Sequence, residues 1–260
     1  MPPERDIPTG AAAAALRSAP TTPNAPAHHG GLWPALAMGA GCLGLVAWGL
    51  IRPGTLTWGT FSMLAVLLLC GLLYALLSRR VQTAQQLALV ATLAAVATAG
   101  RVLFAALPNF KPVTYLVFVA GAALGPGPGF MVGATTGLIS NLFFGQGPWT
   151  PWQMLAWGLI GLAGAGLAGR GRMPSRWMLV AVGAMLSVLF DWFVSLWMFL
   201  SFTDHSWPSL LALYVRGLPF DAAHGAATGL FCLLFGPATV RMLTRYRART
   251  NCRFLPLETS

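Results

Sequence analysis

The stretch of sequence that decides the fold runs from Asn109 to Gly164 and reads NFKPVTYLVFVAGAALGPGPGFMVGATTGLISNLFFGQGPWTPWQMLAWGLIGLAG. It combines apolar runs, glycine turns and a tryptophan-rich segment, and Lys111 is its only charged residue. A soluble domain cannot hide this much apolar surface from water. A simple membrane anchor, however, has no need for polar side chains close to the expected membrane surface. The stretch therefore indicates a small polytopic membrane protein that binds something. These polar residues are Asn109, Lys111, Asn141, Gln146 and Gln153.

The composition of the whole chain indicates the same class of protein. Of its 260 residues, 56% are hydrophobic and 8% are charged, whereas soluble domains carry about 25% charged residues. A spanning helix needs roughly 20 apolar residues, which leaves room for about eight spans. Strands of a membrane barrel alternate in polarity, but these runs are apolar on every face. We therefore predict an all-α polytopic protein in a lipid bilayer.

The apolar runs divide the chain into four segments. Residues 1–30, rich in Ala, Pro and Thr, are expected to form a disordered cytoplasmic tail. Residues 31–80 are predicted to form an additional transmembrane hairpin, and 81–241 a six-helix core. Residues 242–260 are predicted to be a basic cytoplasmic tail. The Gly-Pro-Gly-Pro-Gly sequence at 125–129 predicts a tight turn. The predicted spans are 31–51, 57–78, 84–107, 113–124, 129–144, 151–168, 177–200 and 209–235.

The distribution of positive charge predicts the orientation. With eight spans both termini lie on one side, and the loops of the opposite side hold only Arg52 and Lys111 as basic residues. Since cytoplasmic segments carry an excess of Lys and Arg, we expect a cell-membrane protein with both termini in the cytoplasm. The net charge of +10 is then a topology signal, and we expect no nucleic-acid partner. The basic residues of the terminal side are Arg5, Arg17, Arg79, Arg80, Arg170, Arg172, Arg176, Arg241, Arg245, Arg247, Arg249 and Arg253.

Four charged residues fall within predicted spans: Arg101, Asp191, Arg216 and Asp221. A charge near the bilayer centre costs at least roughly 2.5–3.5 kcal/mol. Three readings stay open: structural Arg–Asp salt bridges, an outward-open polar cavity that contacts a ligand, and a proton relay. His224 shares a helix face with Asp221, but two such residues do not make a metal site.

Two further patterns each have two readings. Trp149, Trp152 and Trp157 recur at helical spacing, as in an interfacial aromatic belt or as a platform for a flat ligand, with neighbouring amides as hydrogen-bonding groups. The alanines at 91, 95 and 99 form a small-residue stripe, which serves internal helix packing or an intermolecular docking face. The residues of the stripe are Ala91, Ala95 and Ala99.

Several short motifs together resemble the substrate-binding S components of energy-coupling factor (ECF) vitamin transporters. The resemblance covers residues 84 to about 237 and includes the alanine-rich first helix of the core. The most specific motif is GQGPWTPWQ. The motifs are LPNFKPVT at 107–114, GAALGP at 121–126, SN at 140–141, FGQGPWTPWQ at 144–153 and LPFDAAH at 218–224.

The resemblance implies a six-helix subunit that captures a vitamin or related micronutrient from outside, with a corrinoid or its precursor as our first choice. It implies one transmembrane coupling subunit and two ATPases as partners, with the alanine stripe as the docking face and the loop 108–112 over the ligand. No GxxxxGK[ST] loop is present, so we expect no ATP or other cofactor here. The expected substrate-binding residues are Asn109, Lys111, Asn141, Gln146, Trp149, Trp152, Gln153, Asp191, Arg216 and Asp221.

Two alternatives from other classes remain at this point. One is an integral-membrane enzyme that uses Asp221 and His224 as acid–base groups and needs no ATPase partner. The other is a membrane scaffold without a ligand, in which the polar residues pair only with each other. We expect a binding subunit, and not an enzyme.

Overall fold

The computed structural model describes residues 33–250, except 53, 55, 82 and 170–172. Within these residues the chain is all-helical and has no strand. Together with the apolar helices described below, this confirms the predicted class, an all-α polytopic membrane protein. The predictions for residues 1–30, for Arg170 and Arg172, and for the last ten residues lie outside the described part of the chain.

Eight helices account for 86% of the described residues. Most begin and end within a few residues of the predicted spans. The largest difference is in the last helix, which extends through the predicted cytoplasmic tail as far as Thr250. The helices are α1 (Trp33–Ile51), α2 (Trp58–Ser78), α3 (Ala84–Leu103), α4 (Val113–Leu124), α5 (Pro126–Phe144), α6 (Trp149–Ala168), α7 (Arg176–Phe202) and α8 (Trp207–Thr250).

Five of the helices, α1, α2, α3, α7 and α8, are long and apolar enough to cross a membrane individually. The central helix α4 has only 12 residues, or about 18 Å at 1.5 Å per residue. Every residue of α4 except Leu116 is buried, and it packs against α5, α6 and α8. By contrast, α1 packs mainly against α2 and buries only Ala35.

The turn between α4 and α5 is tighter than the sequence predicts. A single residue, Gly125, separates the two helices, and its φ of 95° lies in the region that favours glycine. Pro126 already occupies the first position of α5, where the missing N–H costs no helical hydrogen bond. The predicted five-residue turn is therefore wrong, because its prolines start a helix.

Glycines bring the backbones of α4, α5 and α6 into direct contact. A Cβ atom added at Gly121 would overlap the carbonyl oxygen of Gly161, and one added at Gly133 would overlap the backbone of Trp157. Small residues allow such close approach of membrane helices. These glycine contacts hold α6 in place, and α6 carries two of the cavity residues described in the next subsection, Gln153 and Trp157.

Candidate functional site

A polar cavity of about 510 Å³ lies among α3, α6, α7, α8 and the loop 104–112. Small-molecule sites in proteins usually enclose roughly 300–1,000 Å³. Six of the ten predicted substrate-binding residues line it: Asn109, Lys111, Gln153, Asp191, Arg216 and Asp221. Sequence positions more than 100 residues apart therefore meet at one place.

One wall of the cavity carries a chain of hydrogen bonds, which we call the Asp191–His224 cluster. The Nδ1 atom of His224 lies 2.9 Å from Oδ2 of Asp191, and its Nε2 atom lies 2.7 Å from Oγ1 of Thr114. The indole N–H of Trp157 donates to the same threonine oxygen over 3.0 Å. The amide of Asn109 donates to Asp191 over 3.2 Å. Asn109 itself has a φ of 53°, a conformation that asparagine tolerates better than most residues.

The indole is only a donor, so Thr114 accepts from Trp157. An ionised carboxylate is only an acceptor, so Nδ1 of His224 carries a proton and donates to Asp191. The His224 side chain is buried and that of Asp191 is partly buried, at 3% and 12% exposed. The Asp191 carboxylate thus receives two hydrogen bonds from the protein.

The other carboxylate of the cavity, Asp221, is buried and has its own partner. Oδ2 of Asp221 accepts from the indole N–H of Trp192 over 3.0 Å. One of the three open readings, Arg–Asp salt bridges within the spans, is not what the structure shows: in the described part of the chain the acid–base pair found is His224–Asp191, with 2.9 Å between Nδ1 and Oδ2. No group of three His, Cys, Asp or Glu residues suited to hold a metal occurs among the described residues.

A second set of polar residues surrounds Arg101, and we call it the Arg101 cluster. Nη1 of Arg101 donates to Oγ of Ser140 and, over 2.8 Å, to Oδ1 of Asn141. The Asn141 amide donates in turn to Oε1 of Gln153 over 2.8 Å and to Thr150 over 3.0 Å. Thr150 donates to Gln146 over 2.9 Å. Arg101 is only 8% exposed, and all of these acceptors are uncharged.

Two cations share one aromatic ring next to this cluster. The guanidinium carbon of Arg101 lies 4.6 Å from the centre of the Phe144 ring, and the Lys111 ammonium lies 4.9 Å from it. Burial lowers the pKa of Lys111 below its ordinary value, and the positive charge of Arg101 lowers it further. No carboxylate in the described residues pairs with either cation.

Four predicted binding residues do not line the cavity. The amides of Asn141 and Gln146 form hydrogen bonds within the Arg101 cluster and do not line the cavity. Gln146 also donates to the Leu138 carbonyl over 2.8 Å. Trp149 packs edge-on against Trp197 at 5.4 Å between ring centres, and Trp152 packs against Phe193 at 5.1 Å. These two tryptophans therefore belong to helix packing in this structure.

Eleven of the residues that line the cavity were absent from the predicted binding set, and three of these take part in the clusters described above: Arg101, Trp157 and His224. Arg101 carries an intramembrane charge, which is a signal in itself, and Trp157 lies one helical turn beyond Gln153. Trp157 stacks on Phe190 at 4.6 Å and lies 4.9 Å from the Arg101 guanidinium. Its ring is thus already packed against protein groups.

The alanine stripe faces away from the rest of the chain. Ala91, Ala95 and Ala99 are exposed, whereas Ala94 and Ala97 on the opposite side of α3 are buried. Internal packing of α3 therefore uses another set of alanines, and the predicted stripe remains open to lipid or to another protein.

Comparison with known proteins assigns a family. Residues 81–249 match the sequence model described as "Family of unknown function (DUF6580)", and the chain belongs to this family. The match begins at the residue where the predicted six-helix core begins. No curated protein and no solved structure matches the chain.

Proposed function

We propose that this protein is the substrate-binding membrane subunit of an ECF-type importer. It captures a vitamin or related micronutrient from outside for ATP-driven uptake by one coupling subunit and two ATPases. In this proposal the chain lies in the cell membrane with both termini in the cytoplasm. The observation that carries it is the polar cavity, where α3, α6, α7, α8 and the loop 104–112 direct ligand-type side chains to one place.

The size of the cavity and its walls narrow the choice of substrate. A volume of about 510 Å³ favours a vitamin of one or two small rings over a complete corrinoid. Because Trp157 already packs against Phe190 and Arg101, we assign recognition mainly to hydrogen bonds and charge. Stacking on tryptophan, which the sequence suggests, has a smaller part in this proposal.

The exposed alanine stripe supports the proposed partner. Small side chains let the helices of two subunits approach closely, and Ala91, Ala95 and Ala99 face outward. We expect Ala95→Trp to abolish assembly with the coupling subunit and the two ATPases. The measurement is co-purification of the coupling subunit with the tagged protein, after co-expression of all four proteins.

Val96→Trp is the matched control for this test. Val96 is also exposed, 49%, and lies on the same helix about 100° from Ala95, so the same bulk faces another direction. Assembly is expected to survive in Val96→Trp. Assembly that survives in Ala95→Trp as well would contradict the docking assignment.

One observation favours an enzyme as the second candidate. Asp191, His224 and Thr114 are connected in the order carboxylate, imidazole, hydroxyl, which is the arrangement of an activated nucleophile. However, Thr114 has 0% exposed surface and its oxygen already accepts from Trp157. A substrate in the cavity does not reach it, and we therefore assign the site to binding.

Uptake assays separate the two candidates. A binding subunit is expected to support accumulation of a labelled micronutrient only when the coupling subunit and active ATPases are present. An enzyme would convert its substrate without them. Conversion by the purified protein alone, abolished by Asp221→Asn, would contradict the proposed function.

A further inference from the structure

We infer that the ligand of this cavity carries an anionic oxyacid group, a carboxylate or a phosphate, and that Arg101 and Lys111 bind this group beside Phe144. The inference rests on the proposed function for the identity of the ligand as a small micronutrient. It adds the chemical class of that ligand and the place where its charged end is held.

The first argument is the charge balance of the cavity. Its lining holds three cations, Arg101, Lys111 and Arg216, and two carboxylates, Asp191 and Asp221. These formal charges leave the lining with at least one excess positive charge, whichever way His224 is protonated. The carboxylates already accept hydrogen bonds from the protein, Asp191 from His224 and Asn109 and Asp221 from Trp192. The negative charge that the lining lacks is therefore missing beside the cations.

The second argument is the burial of Arg101. A buried charge without a counter-charge is strongly unfavourable, even after hydrogen bonds to neutral groups are formed. Arg101 is 8% exposed and donates only to Ser140 and Asn141 among the described residues. A ligand anion would supply the missing negative charge in a region of low dielectric constant, where the attraction is strong.

The third argument is the number of free donors. Both hydrogen bonds of Arg101 come from Nη1, whereas a guanidinium has five N–H donors. The Lys111 ammonium contacts the Phe144 ring and has no hydrogen-bond acceptor in the described part of the chain. Donors therefore remain on both cations, and both line the cavity.

The fourth argument is that the protein holds the two cations close together despite their repulsion. Arg101 lowers the pKa of Lys111, so the two charges interact, and one aromatic ring contacts both. Arg101 is held in position by its hydrogen bond to Asn141 on α5, and Asn141 is held in turn by Gln153 on α6. Two fixed cations with free donors suit a planar carboxylate or a phosphate.

The sequence allows a direct test, because Lys111 is the only lysine among 260 residues. Reductive methylation with ¹³C-formaldehyde keeps the positive charge and labels only Lys111 and the α-amino group. The ¹³C signal of Lys111 in the detergent-purified full chain then reports on any anion placed beside it. The N-terminal signal serves as an internal reference.

The probes are acids paired with neutral analogues: nicotinate with nicotinamide, pantothenate with panthenol, and biotin with biotinamide. Inorganic phosphate is added to the set, and chloride at equal ionic strength controls for screening. We expect at least one acid, or phosphate, to shift the Lys111 signal with saturation, and its neutral partner to leave the signal in place. The saturable shift is expected to vanish in Arg101→Gln and to persist in Arg176→Gln, which removes an exposed arginine outside the cavity.

The inference is overturned by equal shifts with acid and neutral analogue, or by no saturable shift with any acid or with phosphate. A shift that appears only with anionic phospholipid in nanodiscs also overturns it, since a lipid headgroup is then the source. Failure of the proposed function gives a different result: the acid shifts Lys111, but no coupling subunit assembles. Conversely, if a neutral vitamin co-purifies and does not shift the ¹³C signal of Lys111, the inferred anionic group is refuted but the proposed function is not.

Discussion

The two polar clusters of the cavity handle buried charge in different ways. In the Asp191–His224 cluster the carboxylate receives hydrogen bonds from an amide and from an imidazole, a group that can carry the opposite charge. In the Arg101 cluster the cation receives only neutral acceptors and a second cation as its neighbour. We propose that the first arrangement stabilises the empty fold, whereas the second is completed by the anion of the ligand.

In our proposal, this difference separates residues that stabilise the cavity from residues that bind the ligand. Substitutions in the Asp191–His224 cluster should mainly change stability. Substitutions at the uncompensated cations should mainly change ligand affinity and should leave or improve the stability of the empty protein. Natural binding sites often show this exchange between stability and function.

The largest effect is expected for Arg101→Gln. Loss of a hydrogen bond to a charged group costs about 1.5–3 kcal/mol, and each 1.4 kcal/mol is about tenfold in affinity. We expect affinity for the acidic probe that shifts Lys111 to fall about 100-fold, measured by calorimetric titration of the purified protein. Arg101→Lys, which keeps the charge, should recover part of the loss. Unchanged affinity in Arg101→Gln would mean that the clusters do not differ as described.

The opposite behaviour is expected for Asp191→Ala. The variant leaves the Nδ1–H of buried His224 without its acceptor, and an unsatisfied buried donor costs about 1–3 kcal/mol. We expect the free energy of unfolding to fall by about that amount in a denaturation experiment in mixed micelles. Asp204→Ala is the control, because Asp204 is an exposed carboxylate in the loop between α7 and α8. A stability equal to that of this control would show that the Asp191–His224 cluster has no structural role.

A smaller effect is expected from the titration of Lys111. Because its folded pKa is lowered from 10.5, the unfolded chain binds more protons between the two values, and stability rises with pH there. The unfavourable contribution is fully present below the folded pKa and is relieved as pH approaches 10.5. We expect the melting temperature of the ligand-free protein to rise across this alkaline range, after subtraction of the curve of Lys111→Gln. The absence of any difference between the two curves would contradict the account of the paired cations.

The smallest effect on stability is expected at Asp204, an exposed carboxylate that serves as a reference for the charges of the two clusters. Hydrogen bonds from Ser209 and Ser206 lower its pKa from 3.8 to about 2. Its contribution to stability is therefore present above pH 3.8 and is lost as pH falls toward 2. Asp204→Asn should flatten this part of the acid denaturation curve, and at pH 7 it should lower the melting temperature by less than Asp191→Ala does, because Asp204 is exposed to solvent. A large effect at pH 7 would show that exposed charges matter as much as the clusters.

The sequence was sufficient to predict the helices and six residues that meet in one cavity. Apolar runs ended by charged or glycine- and proline-rich segments mark the spans, and polar residues in apolar surroundings mark the cavity. Asn109 and Lys111 were predictable because they follow an apolar helix, and Asp191 and Asp221 because intramembrane carboxylates are costly.

The pairing of the polar residues could not be predicted. Four intramembrane charges of opposite sign suggest Arg–Asp bridges, but the bridge found joins Asp191 to His224 across α7 and α8. Arg101 instead reaches Ser140 and Asn141 on α5. Which groups meet depends on the rotation of each helix about its axis, and the glycine contacts among α4, α5 and α6 set part of that rotation. Helical periodicity alone does not contain this information.

The most direct measurement of the central claim is mass spectrometry of small molecules released from the purified protein. Wild type and Arg101→Gln are expressed in vitamin-replete medium and purified in the same detergent. We predict that the wild type releases a stoichiometric micronutrient with a carboxylate or phosphate group and that Arg101→Gln releases none. A wild-type protein that is empty and binds no acid of the probe set, or that releases the same molecule as the variant in equal amount, would contradict the account.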